Sequence, residues 1–288
     1  MLRLNDEFAL IGVGAEGCAA VNYMFWKNNF KKCILFDTDE AALKQYEVTD
    51  KITQHCNYHS LICDLSRRSR VAVVVTDVSS EAGLKYAAEI CRIAGKTCGL
   101  SVAFAVCSDG WKDTRDIVQR NRCIQQLLRA ADAVIPVTQM ESDAVMPVTG
   151  KQLLRLSSEG ELTYGVSMLS DLVSGQSIIS LDVADLKAVL WRAGLVSLTR
   201  GVGSGNDRAR IAAKEALSTM LFNIKDAKGL VIKVQGGKEV GLAEVNEAAE
   251  VIREATCDDA SIITGVGNDY MNKNVEVTIL ASGFDAYR

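Results

Sequence analysis

The sequence predicts an α/β chain in which a Rossmann-like three-layer domain is joined by a central helix to a smaller α+β domain. Three observations carry that reading. Apolar runs in the first half, such as Phe8–Val13 and Val71–Val75, are continuous rather than alternating, the mark of parallel strands buried on both faces. Helical patterns separate those runs, so each strand passes to the next through a crossover. Beyond residue 181 strands outnumber helices, which suits a smaller α+β layer. The expected boundaries are 1–158 for the first domain, 159–180 for the central helix and 181–288 for the second domain.

In chain order, Phe8–Val13 reads as a buried strand and Cys18–Lys27 as the helix after it. Cys33–Phe36 is the second strand, followed by a short helix over Glu40–Tyr46. After an irregular stretch come strand Val71–Val75, helix Glu81–Ala94, strand Leu100–Val106, helix Asp116–Ala130 and strand Ala133–Val137. A long helix over Glu159–Ser174 leads to the second half. There, helices are expected over Ala184–Arg192, Asp207–Met220 and Leu242–Ala255. Strands fall at Leu195–Leu198, Leu230–Val234, Ile262–Val266 and Val275–Leu280.

Composition removes several classes of function. No apolar run is long enough to span a bilayer, and the start at Met1 lacks a signal-peptide layout. A formal net charge of −4 gives no overall basic field for nucleic acid or anionic lipid. Arg67, Arg68 and Arg70 read as a solvated edge. Nine cysteines without regular spacing fit reduced thiols in a cytoplasm better than a disulfide framework.

Three stretches carry chemistry. Asp182 stands where one helical pattern ends and another begins, placed to cap the new helix with its carboxylate. Asp185 falls on the same side at helical spacing, so both acids can face one partner; helix-dipole electrostatics alone also accounts for them. Gly12-Val-Gly14-Ala-Glu-Gly17 follows a strand and opens a helix, the setting of a glycine-rich phosphate loop. Tight helix–strand packing without a ligand explains the same glycines. Asp37 and Asp39 lie where a ribose-binding acid sits in a dinucleotide fold, which leaves a nicotinamide-dependent enzyme as a remote alternative. The third stretch holds His55, Cys56, His59 and Cys63, four ligand types that could close a tetrahedral zinc site. Their spacing matches no common zinc motif, so an irregular surface loop with its cysteines turned inward is the favoured expectation.

Gly165–Val173, Ile178–Lys187, Gly201–Arg210, Gly229–Gly237, Leu242–Ala255 and Ala281–Asp285 together resemble FtsZ, the bacterial tubulin relative. The resemblance is strong over about residues 165–285 and patchy before them. It implies the tubulin/FtsZ-like fold and a cytoskeletal role in cell division, with head-to-tail association. The family's catalytic loop reads Asn-x-Asp-x-x-Asp, and Ser180, Asp182 and Asp185 fall on those places. In that family the loop reaches into the next subunit's nucleotide, where the acids position the attacking water.

The nucleotide half departs from the family pattern. Ala15, Glu16 and Ala19 interrupt what is an almost all-glycine first loop, although Asp37-Thr38-Asp39 still resembles the second. Thr76–Gly83 replaces the hallmark run Gly-Gly-Gly-Thr-Gly-Thr-Gly with a single glycine. Gly160 falls where an Asp pairs with guanine, and Lys112 where a Glu contacts ribose. A charge-assisted hydrogen bond to phosphate contributes roughly 1.5–3 kcal/mol, so three lost amide donors remove about 5–9 kcal/mol. Micromolar binding amounts to only about 8 kcal/mol.

The expectation is therefore an FtsZ-like protein with a degenerate site at Gly12, Gly14, Gly17, Asp37 and Thr38, and with no cofactor required. Its partners would be other copies of itself, authentic FtsZ, or both, with neither nucleic acid nor a direct membrane anchor. The alternative is an active GTPase using GTP with Mg2+, with Asp182 and Asp185 acting on a neighbour's nucleotide.

Overall fold

Crossovers between parallel strands explain how the first half folds. The computed structural model describes residues 7–27, 30–107, 114–138, 154–155, 166, 169, 177–179, 182–220, 222–237, 240–268 and 273–284. The chain divides into two units, Met1–Ser170 and Asp171–Arg288, a boundary that lies inside the expected central helix. Most of that helix, with Ser180, Gly160 and Lys112, lies outside the described residues; Val166 and Leu169 are helical and buried.

The first unit contains β1 (Phe8–Val13), α1 (Gly14–Lys27), β2 (Cys33–Phe36), α2 (Glu40–Leu43), β3 (Lys51–Ile52) and α3 (Tyr58–Arg67). It continues with β4 (Val71–Asp77), α4 (Glu81–Cys98), β5 (Ser101–Cys107), α5 (Thr114–Ala130), β6 (Ala133–Thr138) and β7 (Leu154–Arg155). All strand pairs here are parallel, in the order β3-β2-β1-β4-β5-β6 with β7 beside β6. Every residue of β1, β2 and β4 is buried, as continuous apolar runs require when helices cover both faces. The chain runs leftward from β1 to β3 and rightward from β4 to β6. Right-handed crossovers therefore set α3, α4 and α5 together on one face, and these helices pack side by side.

The second unit begins with β8 (Ser177–Ile179), α6 (Val183–Leu190), β9 (Gly194–Gly203) and α7 (Arg208–Ser218). β10 (Gly229–Gly236), α8 (Leu242–Ala255), β11 (Ser261–Asn268) and β12 (Val275–Ser282) complete it. Its sheet runs β9-β12-β10-β11-β8, antiparallel except for the β10–β11 pair. All eight residues of β12 are buried. Ser282 donates its hydroxyl to the Val189 carbonyl at 2.7 Å, tying β12 to α6.

Two expectations change. The helix after β1 starts at Gly14 and not at Cys18, so the glycine stretch is a strand end and a first helical turn, with no loop between. The stretch after Glu47 is not irregular throughout: α3 begins at Tyr58, capped by Asn57, whose side chain accepts the Ser60 amide.

Arg208, at the start of α7, forms a two-pronged pair with Glu244 at the start of α8, Nε to Oε1 at 2.6 Å and Nη2 to Oε2 at 3.1 Å. Both side chains are largely covered, and Glu244 also accepts the Gly241 amide at 3.4 Å. The Arg208 guanidinium holds the Glu244 carboxyl below its usual value of 4.5. Such a group stabilises the fold above its unfolded pKa, and that contribution disappears as pH falls through the folded value. Arg208→Ala is expected to cost about 1.5–3 kcal/mol at neutral pH. Thermal melts of wild type and variant should converge as pH is lowered through and below 4.5.

Candidate functional site

In open α/β sheets, ligands bind beyond the carboxyl ends of the strands, where the chain reverses direction across the sheet. Here that point lies between β1 and β4. Three strand ends and one helix start meet there, and close backbone contact sets their spacing. A Cβ on Gly17 would lie 2.2 Å from the Val75 carbonyl oxygen, and one on Gly12 would lie 2.6 Å from the Gly17 oxygen. Only glycine lets α1 rest this closely on β1 and β4, so packing alone accounts for Gly12 and Gly17.

Gly14 has a different reason. Its φ of +77° is a left-handed conformation that glycine adopts freely. A Cβ there would also meet Ser80 Oγ at 2.2 Å and Asp77 Cβ at 3.3 Å. Ser80 thus stands directly against Gly14 at the reversal point. Ser80 is held in place by its own work: its hydroxyl donates to the Asp77 carbonyl at 2.9 Å and accepts the Gly83 amide at 2.9 Å, capping α4.

Asp37 and Asp77 end β2 and β4 in the same manner. Asp37 Oδ1 accepts the Asp39 amide at 3.0 Å, and Asp77 Oδ1 accepts the Ser79 amide at 2.8 Å together with the Ser79 hydroxyl. Both residues are buried. Thr38 is half-buried between Asp37 and Asp39, and Asp39 caps α2 by accepting the Ala41 and Ala42 amides. Glu16 sits in the first turn of α1.

Beneath this edge Cys18 donates to the Gly12 and Phe36 carbonyls, at 3.6 and 3.5 Å. Burial, and then the Asp37 charge, push the Cys18 thiol well up. Burial likewise pushes Cys123 up to about 12, with Asp77 adding to it. Both thiols are therefore protonated and inert at neutral pH. Asp77, Ser79 and Ser80 were not singled out from sequence; the repeated spacing in Asp37-Thr38-Asp39 and Asp77-Val78-Ser79 was the available signal.

In the second unit Asp182 and Asp185 form a reciprocal capping box. Asp182 Oδ1 accepts the Asp185 amide at 2.8 Å, and Asp185 Oδ2 accepts the Asp182 amide at 2.9 Å. Asp182 is exposed and Asp185 half-exposed. The capping role read from sequence is present.

The four metal candidates do not converge. His55 Nε2 lies 3.4 Å from Gln54 Nε2, and Cys56 Sγ lies 3.7 Å from Thr53 Oγ1. His59 and Cys63 sit on α3, one turn apart. The inward-turned cysteines expected of this stretch are not found, for Cys56 is exposed and Cys63 only half-buried. Among the described residues no group of three or more His, Cys, Asp or Glu side chains is placed to hold a metal ion, and no helix is long and apolar enough to cross a membrane.

Comparison with known proteins adds a match of one domain and a likeness of the whole fold. Residues 194–285 match the model of the FtsZ family, C-terminal domain. Over the whole chain the structure is similar to an empty FtsZ dimer structure from M. jannaschii, with TM-score 0.83 and 19% identity, covering 98% of this chain and 89% of that one. It is also similar to CetZ2 from Haloferax volcanii, a GTPγS-bound protofilament, with TM-score 0.76 and 13% identity over 98% and 94% of the two chains. CetZ from Methanosaeta thermophila matches with TM-score 0.74 and 17% identity over 96% and 86%. The similarity thus extends to archaeal CetZ proteins and is not confined to bacteria. The chain thus shares the fold of the FtsZ and CetZ structures along its whole length, and its residues 194–285 match the C-terminal domain of the FtsZ family.

Proposed function

We propose that this chain is a cytoskeletal protein that associates head-to-tail through the Asp182–Asp185 loop, with GTP binding and hydrolysis weakened or lost. The observation that carries the reading is Ser80 standing against Gly14 at the reversal point, between the buried acids Asp37 and Asp77. A triphosphate seated there would have to displace the Ser80 cap of α4. Each carboxylate about 5 Å from a phosphate charge would add roughly 3 kcal/mol of repulsion at an effective dielectric near 20. The dimer and protofilament forms of the similar FtsZ and CetZ2 proteins support self-association. Docking onto an authentic FtsZ filament is the second form of the same reading.

An active GTPase is the alternative, and one feature favours it. α1 begins directly at the end of β1, and amides at a helix N-terminus attract anions. In that case Asp182 and Asp185 would polarise water on a neighbour's GTP.

Isothermal titration with GTP and Mg2+ separates the two. The expected result is binding weaker than about 100 μM, some 5.5 kcal/mol at most; low-micromolar binding would overturn the proposal. Electron microscopy with and without GTP, alone and with FtsZ, should show assembly that does not depend on the nucleotide. A chain that remains monomeric in every mixture defeats both forms.

Substitution at Asp182 divides capping from charge. Asn caps a helix as well as Asp does, whereas Ala costs about 1 kcal/mol. Asp182→Asn should therefore melt like wild type, and Asp182→Ala a few degrees lower. Neither is expected to change GTP turnover, since the wild-type rate should already be at background. Turnover abolished by Asp182→Asn with the melt unchanged would establish the GTPase reading.

A further inference from the structure

Helices α4 and α5 pack side by side, and a cavity of about 270 Å3 opens between them. Its walls are Leu84 and Lys85 from α4 and Gln119, Arg122, Cys123 and Gln126 from α5. The α5 residues recur at helical spacing, so they form one stripe along the groove.

The floor is built before anything binds. Cys123 is buried and donates its thiol to the Gly83 carbonyl at 3.7 Å, tying α5 to the start of α4. Gly83 in turn gives its amide to Ser80, and no Cβ would fit between Gly83 and the Asp77 carbonyl oxygen. The start of α4 therefore rests directly on the end of β4. Burial keeps the Cys123 thiol protonated, so the floor carries no charge.

The rim is polar, and its charges are not equivalent. Lys85 Nζ is paired with Glu81 Oε1 at 2.6 Å, whereas Arg122 forms no ion pair among the described residues. Gln119 and Gln126 flank Arg122 on the same stripe, and each side-chain amide can donate. A neutral floor under three donors, one of them a cation, fits an apolar body that bears a negative group. A guanidinium holds a carboxylate through two parallel bonds, and one unmatched positive charge balances a monoanion but not a dianion. At about 30 Å3 of liquid volume per water, the cavity has the room of about nine waters, enough for one substituted ring and too little for a nucleotide.

We propose that the groove between α4 and α5 binds a small monocarboxylate with an aromatic or branched apolar body, its carboxylate on Arg122 and its body over Leu84 and Cys123. The lining shares no residue with the strand-end edge, so the site stands whether or not a nucleotide binds there.

The test is fluorine NMR of the full chain with para-fluorobenzoate as probe, beside para-fluorobenzamide, which has the same shape and no charge. Expected is saturable benzoate binding with a Kd of about 1 mM. The amide should bind at least about tenfold more weakly, as the loss of a charge-assisted hydrogen bond requires. Arg122→Gln should weaken benzoate binding by a similar factor, and Leu84→Trp, which fills the groove, should abolish it. Lys85→Gln removes a charge that Glu81 already matches and should change binding by less than about threefold. Equal binding of benzoate and amide, indifference to Arg122→Gln, or no saturation by about 10 mM would overturn the proposal. Should Leu84→Trp fail to fold by circular dichroism, the exposed Arg122→Gln variant decides alone.

Discussion

The close seat of α1 on β4 governs the architecture of the first unit. Gly17 presses its α-carbon so near the Val75 carbonyl that no side chain fits between them. That contact fixes the height of α1 above the sheet and brings its first residue, Gly14, level with the end of β4. Ser80 then meets Gly14, and the short turn from β4 into α4 follows. Here the glycine spacing accompanies close backbone contact, which needs an absent Cβ.

The strand ends set the chemistry of this edge. Asp37 and Asp77 turn their carboxylates back onto their own chain, each closing a tight turn with the residue two positions on. Those bonds stabilise the turns, yet they also place negative charge at the mouth of the sheet. The thiols beneath, at Cys18 and Cys123, stay neutral because burial penalises their charged forms. Hydroxyl groups and acids therefore stand beside the amides at the start of α1.

Much of the fold was legible because burial on both faces leaves so plain a pattern. The strands at Phe8, Val71 and Val275 could be placed for that reason, and helix Leu242–Ala255 agrees at both ends. The Asp182 cap was legible too, since capping chemistry is local. Helix α3 was hidden by its own composition: Ile62 and Ser66 are its buried residues, and a serine in a core position blurs the apolar face. Its start was nevertheless marked by Asn57, an N-cap residue three before Ser60. The early start of α1 could not be read from periodicity, because Gly14 and Ala15 carry little hydrophobic signal. Contacts such as Gly14 against Ser80 join residues far apart in sequence, and local pattern is blind to them.

The capping box changes what the two acids of the second unit can be taken to mean. Each carboxylate gives one oxygen to the other residue's amide, Asp182 Oδ1 and Asp185 Oδ2. Each retains a second oxygen, which can serve an outside partner without breaking the cap. Structure alone is therefore sufficient reason for a chain to hold acids at these two positions, whatever became of hydrolysis. Losing either one frees an amide at the start of α6. Presence of the pair is thus accounted for by the stability of α6 alone.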